Sequence, residues 1–268
     1  MPTRPDLTDR NNILIITGED LRHQYFVNQL NARFPLSAVL TEGMAYPEPT
    51  ARSDEEKKAW GWFFARRKNF EDRVFGPTNW APTLNNPPCI QIPRGQLNAH
   101  ETIKKIQRIQ PGFIAIFGTG LLGKQILDLY PHRIFNLHVG LPHYCRGSSC
   151  NFWPIHNRRL EELGASVHLT NPGIDAGKIS AQATIELNSD DDEQTLAGKT
   201  LTTGIELMIA TIQNWRKGTL NFTDNAKTGK LYFRKDFTPN AILHVRQMVE
   251  SGELKIQLAS IRKKRGGL

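Results

Sequence analysis

Cysteine is scarce in this sequence: Cys89, Cys145 and Cys150 are the three it contains. Three thiols cannot all pair and are too few for a disulfide-built scaffold. The C-x4-C of Cys145 and Cys150 lacks a second pair at zinc-like spacing, so no metal is expected even with His138 and His143 close by. Buried or idle thiols are the default for all three. Apolar runs are short as well, and none approaches the ~20 residues of a membrane span. The N-terminal stretch MPTRPDLTDRNN has no apolar core of a signal peptide. A cytoplasmic chain with no membrane partner is therefore expected. No G-x-S-x-G occurs, which excludes a nucleophile elbow. Residues 129–160 hold no Asp or Glu at all.

What is present alternates between two periods. NILIITG (12–18), LSAVLTE (36–42), CIQIP (89–93), GFIAIFG (112–118) and RIFNLHV (133–139) are short apolar runs of strand length. Between them, Leu21, Tyr25, Phe26, Leu30 and Phe34 fall at helical spacing, and NAHETIKKIQRI predicts another helix. Strands separated by helices predict an α/β fold: a Rossmann-like, mostly parallel sheet flanked by helices, with ligands at the carboxyl ends of the strands. In SDEEKKAWGWFFARRKNFEDRVF (53–75), Ser53 followed by Glu55 and Glu56 suits a helix start. Trp60, Phe63, Phe64, Phe70 and Phe75 then form a stripe that covers the sheet or walls a substrate site. GPTNWAPTLNNPP is a loop. KISAQATIEL (178–187) predicts an edge strand, and an acidic start precedes a helix with Leu201, Ile205, Met208, Ile209 and Ile212 on one face.

The glycine loop FGTGLLG (117–123) matches G-x-G-x-x-G after a strand and before a helix. A dinucleotide reading is weakened twice. The loop follows a middle strand, and the acid-free stretch leaves no ribose-binding carboxylate about 20 residues onward. The loop still offers backbone at the carboxyl end of a strand.

The sharper signal lies in FNLHVGLPHYCRG (135–147) and NPGIDAG (171–177). Asn136 and His138, two apart on a strand, project to the same face. An amide N–H₂ suits an oxyanion, an imidazole can act as base or as a stabilising cation, and Asp175 can orient that imidazole or relay a proton. None of the three need be a covalent nucleophile, so the attacking group would come from the substrate, as when an amine takes an acyl group. The competing reading is a buried His satisfied by a local carboxylate.

FNLHVGLPHYCRGSSCNFWPI and GASVHLTNPGIDAGKI, in this order and at this separation, resemble the formyltransferase family that uses 10-formyltetrahydrofolate. The resemblance spans about residues 12–190. It implies that Asn136, His138 and Asp175 are the catalytic set, and that His168 of SVHL supports them. It also implies a folate pocket walled by Gly118, Gly120, Leu121 and Leu122 on one loop and Asn171 and Gly173 on another. One departure is Cys145, which stands between Tyr144 and Arg146 and puts the role of Tyr144 in question. NFWPI looks closer to the sugar N-formyltransferases than to the purine enzyme.

The expected division is a catalytic domain over 1–217 and a small C-terminal appendage over 218–268, whose last run, IRKKRGGL, is expected to fray. The formal charge of +8 attracts phosphates, from a small substrate or from nucleic acid. The expected activity is formyl transfer from 10-formyltetrahydrofolate to the amine of a nucleotide-linked amino sugar. The alternatives are methionyl-tRNA, a purine-pathway amine, or a non-catalytic nucleotide- or nucleic-acid-binding protein. Residues 219–268 look too few for a tRNA-binding barrel, so nucleic acid is not the expected partner. A homodimer is left open.

Overall fold

The computed structural model describes residues 9–43 and 50–266. Most of the N-terminal stretch MPTRPDLTDRNN, residues 1–8, lies outside them, as do the last two residues of the basic tail. The chain runs β1 (Ile13–Thr17), α1 (Leu21–Asn31), β2 (Ala38–Glu42), α2 (Asp54–Val74), β3 (Cys89–Ile92), α3 (His100–Ile109), β4 (Phe113–Phe117), α4 (Lys124–Leu129) and β5 (Ile134–His138). It continues with β6 (Cys145–Gly147), α5 (Trp153–His156), β7 (Gly164–Leu169), β8 (Ile179–Thr184), α6 (Glu193–Lys217), β9 (Lys230–Tyr232), α7 (Pro239–Glu250) and α8 (Glu253–Gly266).

Seven strands form one sheet in the order β3-β2-β1-β4-β5-β7-β8. Pairing is parallel from β3 to β5, and β7 then runs antiparallel to both β5 and β8. The α/β class and the mostly parallel sheet are as the sequence predicts. β7 is an addition, since GASVHL carries no alternation that sets it apart from a loop.

Side chains alternate across the sheet, so each strand feeds two cores. Ile13, Ile15, Phe113, Ala115, Phe135 and Leu137 point to one face, where they meet α1 and the Leu201–Ile212 stripe of α6. Leu14, Ile16, Ile114, Ile116 and Ile134 point to the other, against Ile103 and Ile106 of α3 and Ile126 of α4. Phe113 and Phe135, neighbours across β4 and β5, stack with ring centroids 4.4 Å apart. Each such fully buried ring contributes on the order of 1.5–3 kcal/mol.

A third core lies beside the sheet. Trp60 and Phe63 of α2 pack with Phe152, Trp153, Ile242, Val245 and Leu258. The 218–268 segment therefore shares its apolar core with α2 and with residues 150–163. This corrects the frayed tail: Leu254 and Leu258 are buried and Ile261 packs beside them, so α8 stays helical as far as Gly266. At the start of α2, the Ser53 hydroxyl accepts the Glu56 N–H at 3.2 Å, above a first turn of Asp54, Glu55 and Glu56. Among the described residues, no helix is long and apolar enough to cross a membrane.

Candidate active site

Asn136 and His138 continue the side-chain row that begins at Ile134, on the face covered by α3 and α4. α4 is only 6 residues long, and where its cover ends the row opens into a cavity. The antiparallel register places His168 of β7 directly opposite Asn136. The Asn136 amide N–H₂ lies 3.2 Å from His168 Nε2 and donates to Asp175 Oδ1 at 3.4 Å. His168 Nδ1 faces the Leu169 carbonyl at 2.9 Å. A carbonyl only accepts, so Nδ1 carries a proton, and Nε2 lies between the Asn136 amide and the Asp175 carboxylate.

His138 is buried, with each ring nitrogen beside an acceptor. Nε2 lies 3.1 Å from the Cys145 carbonyl and Nδ1 lies 3.5 Å from Asp175 Oδ2. Burial lowers its pKa and outweighs the opposing pull of Asp175, so the ring rests neutral, with one N–H for two facing acceptors.

Asp175 sits in the loop between β7 and β8 in the left-handed region, at φ 45°. Gly177, two residues on, packs so closely that a Cβ there would collide with the Leu169 carbonyl. The Gly147 N–H donates to Asp175 Oδ2 at 2.6 Å, and His168 Nε2 stands 3.3 Å from Oδ1. Burial would raise the Asp175 pKa, but the two imidazoles and the Gly147 N–H together hold it well below the ordinary carboxylate range. It is an ionised carboxylate at neutral pH.

Gly147 is a residue the sequence gives little reason to single out, because its contribution is a backbone N–H. Its position is set by a bond that corrects the expectation of idle thiols. Cys145 and Cys150 form a disulfide, with Cα atoms 5.6 Å apart across the turn that contains Gly147. Cys89 is exposed and unbonded. With both nearby thiols in the bond, neither offers a thiolate to a metal. Tyr144 packs against His143 with tilted rings 4.0 Å apart and does not line the cavity.

The cavity holds about 670 Å³, and Asn136, His138, Asp175, Gly118, Gly120, Leu121, Leu122, Asn171 and Gly173 all line it. Geometry thus brings together every site residue the sequence nominates. The glycine loop is not shaped to cradle a pyrophosphate. The Gly120 N–H donates to Glu42 Oε2 at 2.7 Å, and the Gly123 N–H donates to Asn98 Oδ1 at 2.6 Å. Those donors are satisfied within the protein. Gly118, at φ 65°, has no room for a Cβ because His23 fills that space. His23 packs on Phe117 at 5.0 Å, and burial first, then Arg22 and Arg67, lowers its pKa well below that of a free imidazole. Glu42 and His23 carry no motif that marks them in the sequence, and their roles follow from strand order alone.

The sequence pattern of the formyl transferase family matches residues 53–212, more than half of the chain. The chain belongs to the formyl transferase family. The methionyl-tRNA formyltransferase of Thermodesulfovibrio yellowstonii is 33% identical over 132 residues, covering 49% of this chain and 42% of that protein. The matched stretch thus spans less than half the length of that relative. An N-formyltransferase from Helicobacter canadensis, solved in complex with folinic acid and dTDP-3-aminofucose, superposes with a TM-score of 0.54 at 18% identity, over 84% of this chain and 72% of that one. A phosphoribosylglycinamide formyltransferase from Anaplasma phagocytophilum gives a TM-score of 0.54 at 13% identity, over 84% and 98% of the two chains. At these identities the two structures share the fold. In this formyl transferase fold the cavity lies at the carboxyl end of β4 and β5, where an open α/β sheet takes its ligands.

Proposed function

We propose that the protein transfers the formyl group of 10-formyltetrahydrofolate to the amine of a nucleotide-linked amino sugar. The observation that carries this reading is the convergence of Asn136, His138 and Asp175 on one cavity, with Gly147 fixing the carboxylate. His168 Nε2 and Asp175 Oδ1 are 3.3 Å apart and can share one Asn136 N–H. The second N–H is then available to the formyl oxygen as it gains charge during attack by the amine. Neutral His138 is arranged to receive the proton the amine must lose. Uptake at its unprotonated nitrogen gives an imidazolium between a carbonyl and a carboxylate, both acceptors, and its charge also favours the oxyanion. Asp175 positions the ring and stabilises that cation. As the tetrahedral intermediate collapses, the bond from the formyl carbon to N10 breaks and N10 takes the proton held by His138, so tetrahydrofolate leaves and no protein nucleophile is required.

The folate would lie between the loops 118–122 and 171–174, whose backbone groups and Leu121 and Leu122 suit a flat, hydrogen-bonding ring. The acceptor would enter past Phe64 and Phe70 of α2 and the segment 232–237. Phe233, Arg234 and Phe237 there, with Ser148 and Asn151 also lining the cavity, offer ring and cation surfaces for a base and a diphosphate. The net charge of +8 acts in the same sense. The dTDP-3-aminofucose held by the Helicobacter canadensis relative supports this class of acceptor. The stretch shared with a methionyl-tRNA formyltransferase favours tRNA as the second reading. Incubation with 10-formyltetrahydrofolate and, separately, amino-sugar nucleotides, glycinamide ribonucleotide and methionyl-tRNA tests both. A formyl mass increment on an amino-sugar nucleotide is expected, and formylation of methionyl-tRNA alone would replace the first reading by the second.

A further inference from the structure

Asp175 makes every contact of its carboxylate from a left-handed backbone, a conformation unfavourable for a residue with a side chain. Something must hold that turn. Its two outward carbonyls, those of Asp175 and Gly177, accept hydrogen bonds from one side chain: Asn225 Nδ2, at 2.9 and 3.1 Å. Asn225 belongs to the segment after α6, beyond the residues the family pattern matches. It is part-buried in a stretch, 221–228, that is otherwise exposed. Its own oxygen accepts the Lys227 N–H at 3.0 Å, which fixes the amide so that both N–H groups face the turn. Two residues earlier, Thr223 exchanges both backbone hydrogen bonds with Ile179, each 2.9 Å, at the exit of the same turn. The following residues brace the opposite side of the site. The Gly229 carbonyl accepts from Arg146 Nε at 3.1 Å, and β9 pairs in parallel with β6, which carries Gly147.

We infer that Asn225 is a positioning residue for the reaction, holding the Asp175 turn so that the carboxylate reaches Gly147, His138 and His168 at once. The inference rests on the role of Asp175 proposed above. Alanine at 225 removes both donors and leaves two carbonyls without their partner. Aspartate keeps the shape but sets a negative oxygen against those carbonyls, so it is the more severe change. Because Asp175 raises the pKa of His138, a turn that drifts lets that pKa fall further.

The test needs no substrate in its first arm. NMR titration of His138 in wild type, Asn225→Ala and Asn225→Asp is expected to show a lower His138 pKa in both variants, with thermal melts confirming that each is folded. In the second arm, kcat of Asn225→Ala is expected to fall ~10- to 100-fold, the cost of a small displacement of a catalytic group, with KM for the formyl donor little changed. Added to Asp175→Asn, Asn225→Ala should cost almost nothing more, because the two act through one group. An unchanged His138 titration in both folded variants overturns the inference, as does a full additional loss in the double variant. If the wild type formylates no acceptor, the function proposed above fails while the titration still decides the role of Asn225. Should one variant not fold, the other carries the same measurement.

Discussion

Gly147 donates its backbone N–H to Asp175 Oδ2 at 2.6 Å, the shortest of the contacts that hold this carboxylate. A main-chain group on the turn closed by Cys145 and Cys150 thus fixes the group that faces His138. Backbone donors of this kind require no side-chain reorganisation when charge develops.

Replacing His138 by Ala or Asp175 by Asn is expected to reduce turnover by ~100-fold or more while the fold survives, the scale at which a preorganised polar group acts. The acid limb of kcat in the wild type should fall below pH ~6.5, because burial lowers the His138 pKa and the neutral ring is the active form. Asp175→Asn should move that limb lower still, since the lost carboxylate no longer favours the imidazolium. Steady-state rates across pH measure both effects. A limb that moved upward in Asp175→Asn would contradict this assignment of roles.

His23 and His138 are both neutral and buried in the folded chain, each with a lowered pKa. The unfolded chain binds protons at these rings near pH ~6.5, before the folded chain does. Their contribution to stability is complete above that value and is lost as pH falls towards the folded values. Asp175 acts in the same direction further down, below the ordinary carboxylate value of ~3.9. Urea denaturation at several pH values should show a lower midpoint on the acid side, and His23→Gln should flatten the upper part of that slope. Equal pH dependence in wild type and variant would take His23 out of the account.

Opening the Cys145–Cys150 disulfide with a dithiol should slow turnover, because the bond keeps Gly147 and the Cys145 carbonyl in register with Asp175 and His138. Closing so short a loop contributes about 2 kcal/mol by chain entropy, so the melting temperature should fall too. The cytoplasmic location expected from the sequence sits uneasily with this bond, as thiols are kept reduced there. Rates measured with and without reductant, with thiol titration to confirm the bond has opened, decide the matter. Identical rates before and after opening would make it a purely structural link.

Tetrahydrofolate derivatives, and not NADH, should raise the melting temperature. A ligand that binds only the folded state stabilises it by about 2.7 kcal/mol at a hundredfold excess over its Kd. Glu42→Ala should weaken this effect, since it frees the Gly120 N–H and loosens the loop on which the ring would rest. Protection by NADH alone would reverse the reading of the glycine loop.

The strands and the Asn136–His138 pair were open to sequence reading because a strand fixes which residues share a face, and Asn136 and His138 obey that period. The α2 stripe was legible for the same reason: Phe70 and Phe75 join the core on the sheet, Trp60 and Phe63 pack beside it, and Phe64 and Phe70 line the cavity. The basic tail was misread because its cations outweigh Leu254, Leu258 and Ile261, whose helical spacing anchors α8. The disulfide, Glu42 and the Gly147 N–H were not legible. Each depends on how distant segments approach, and a backbone donor carries no side-chain signature.

The cavity walls have separate origins in the chain. The loops after β4 and β7 supply one side, and α2 with residues 232–237 supplies the other. In engineering terms the two sides are separable parts. A library randomised at Phe233, Arg234 and Phe237 alters the proposed acceptor side without touching the loops 118–122 and 171–174. New amines could then be recruited to an unchanged donor, one short segment at a time.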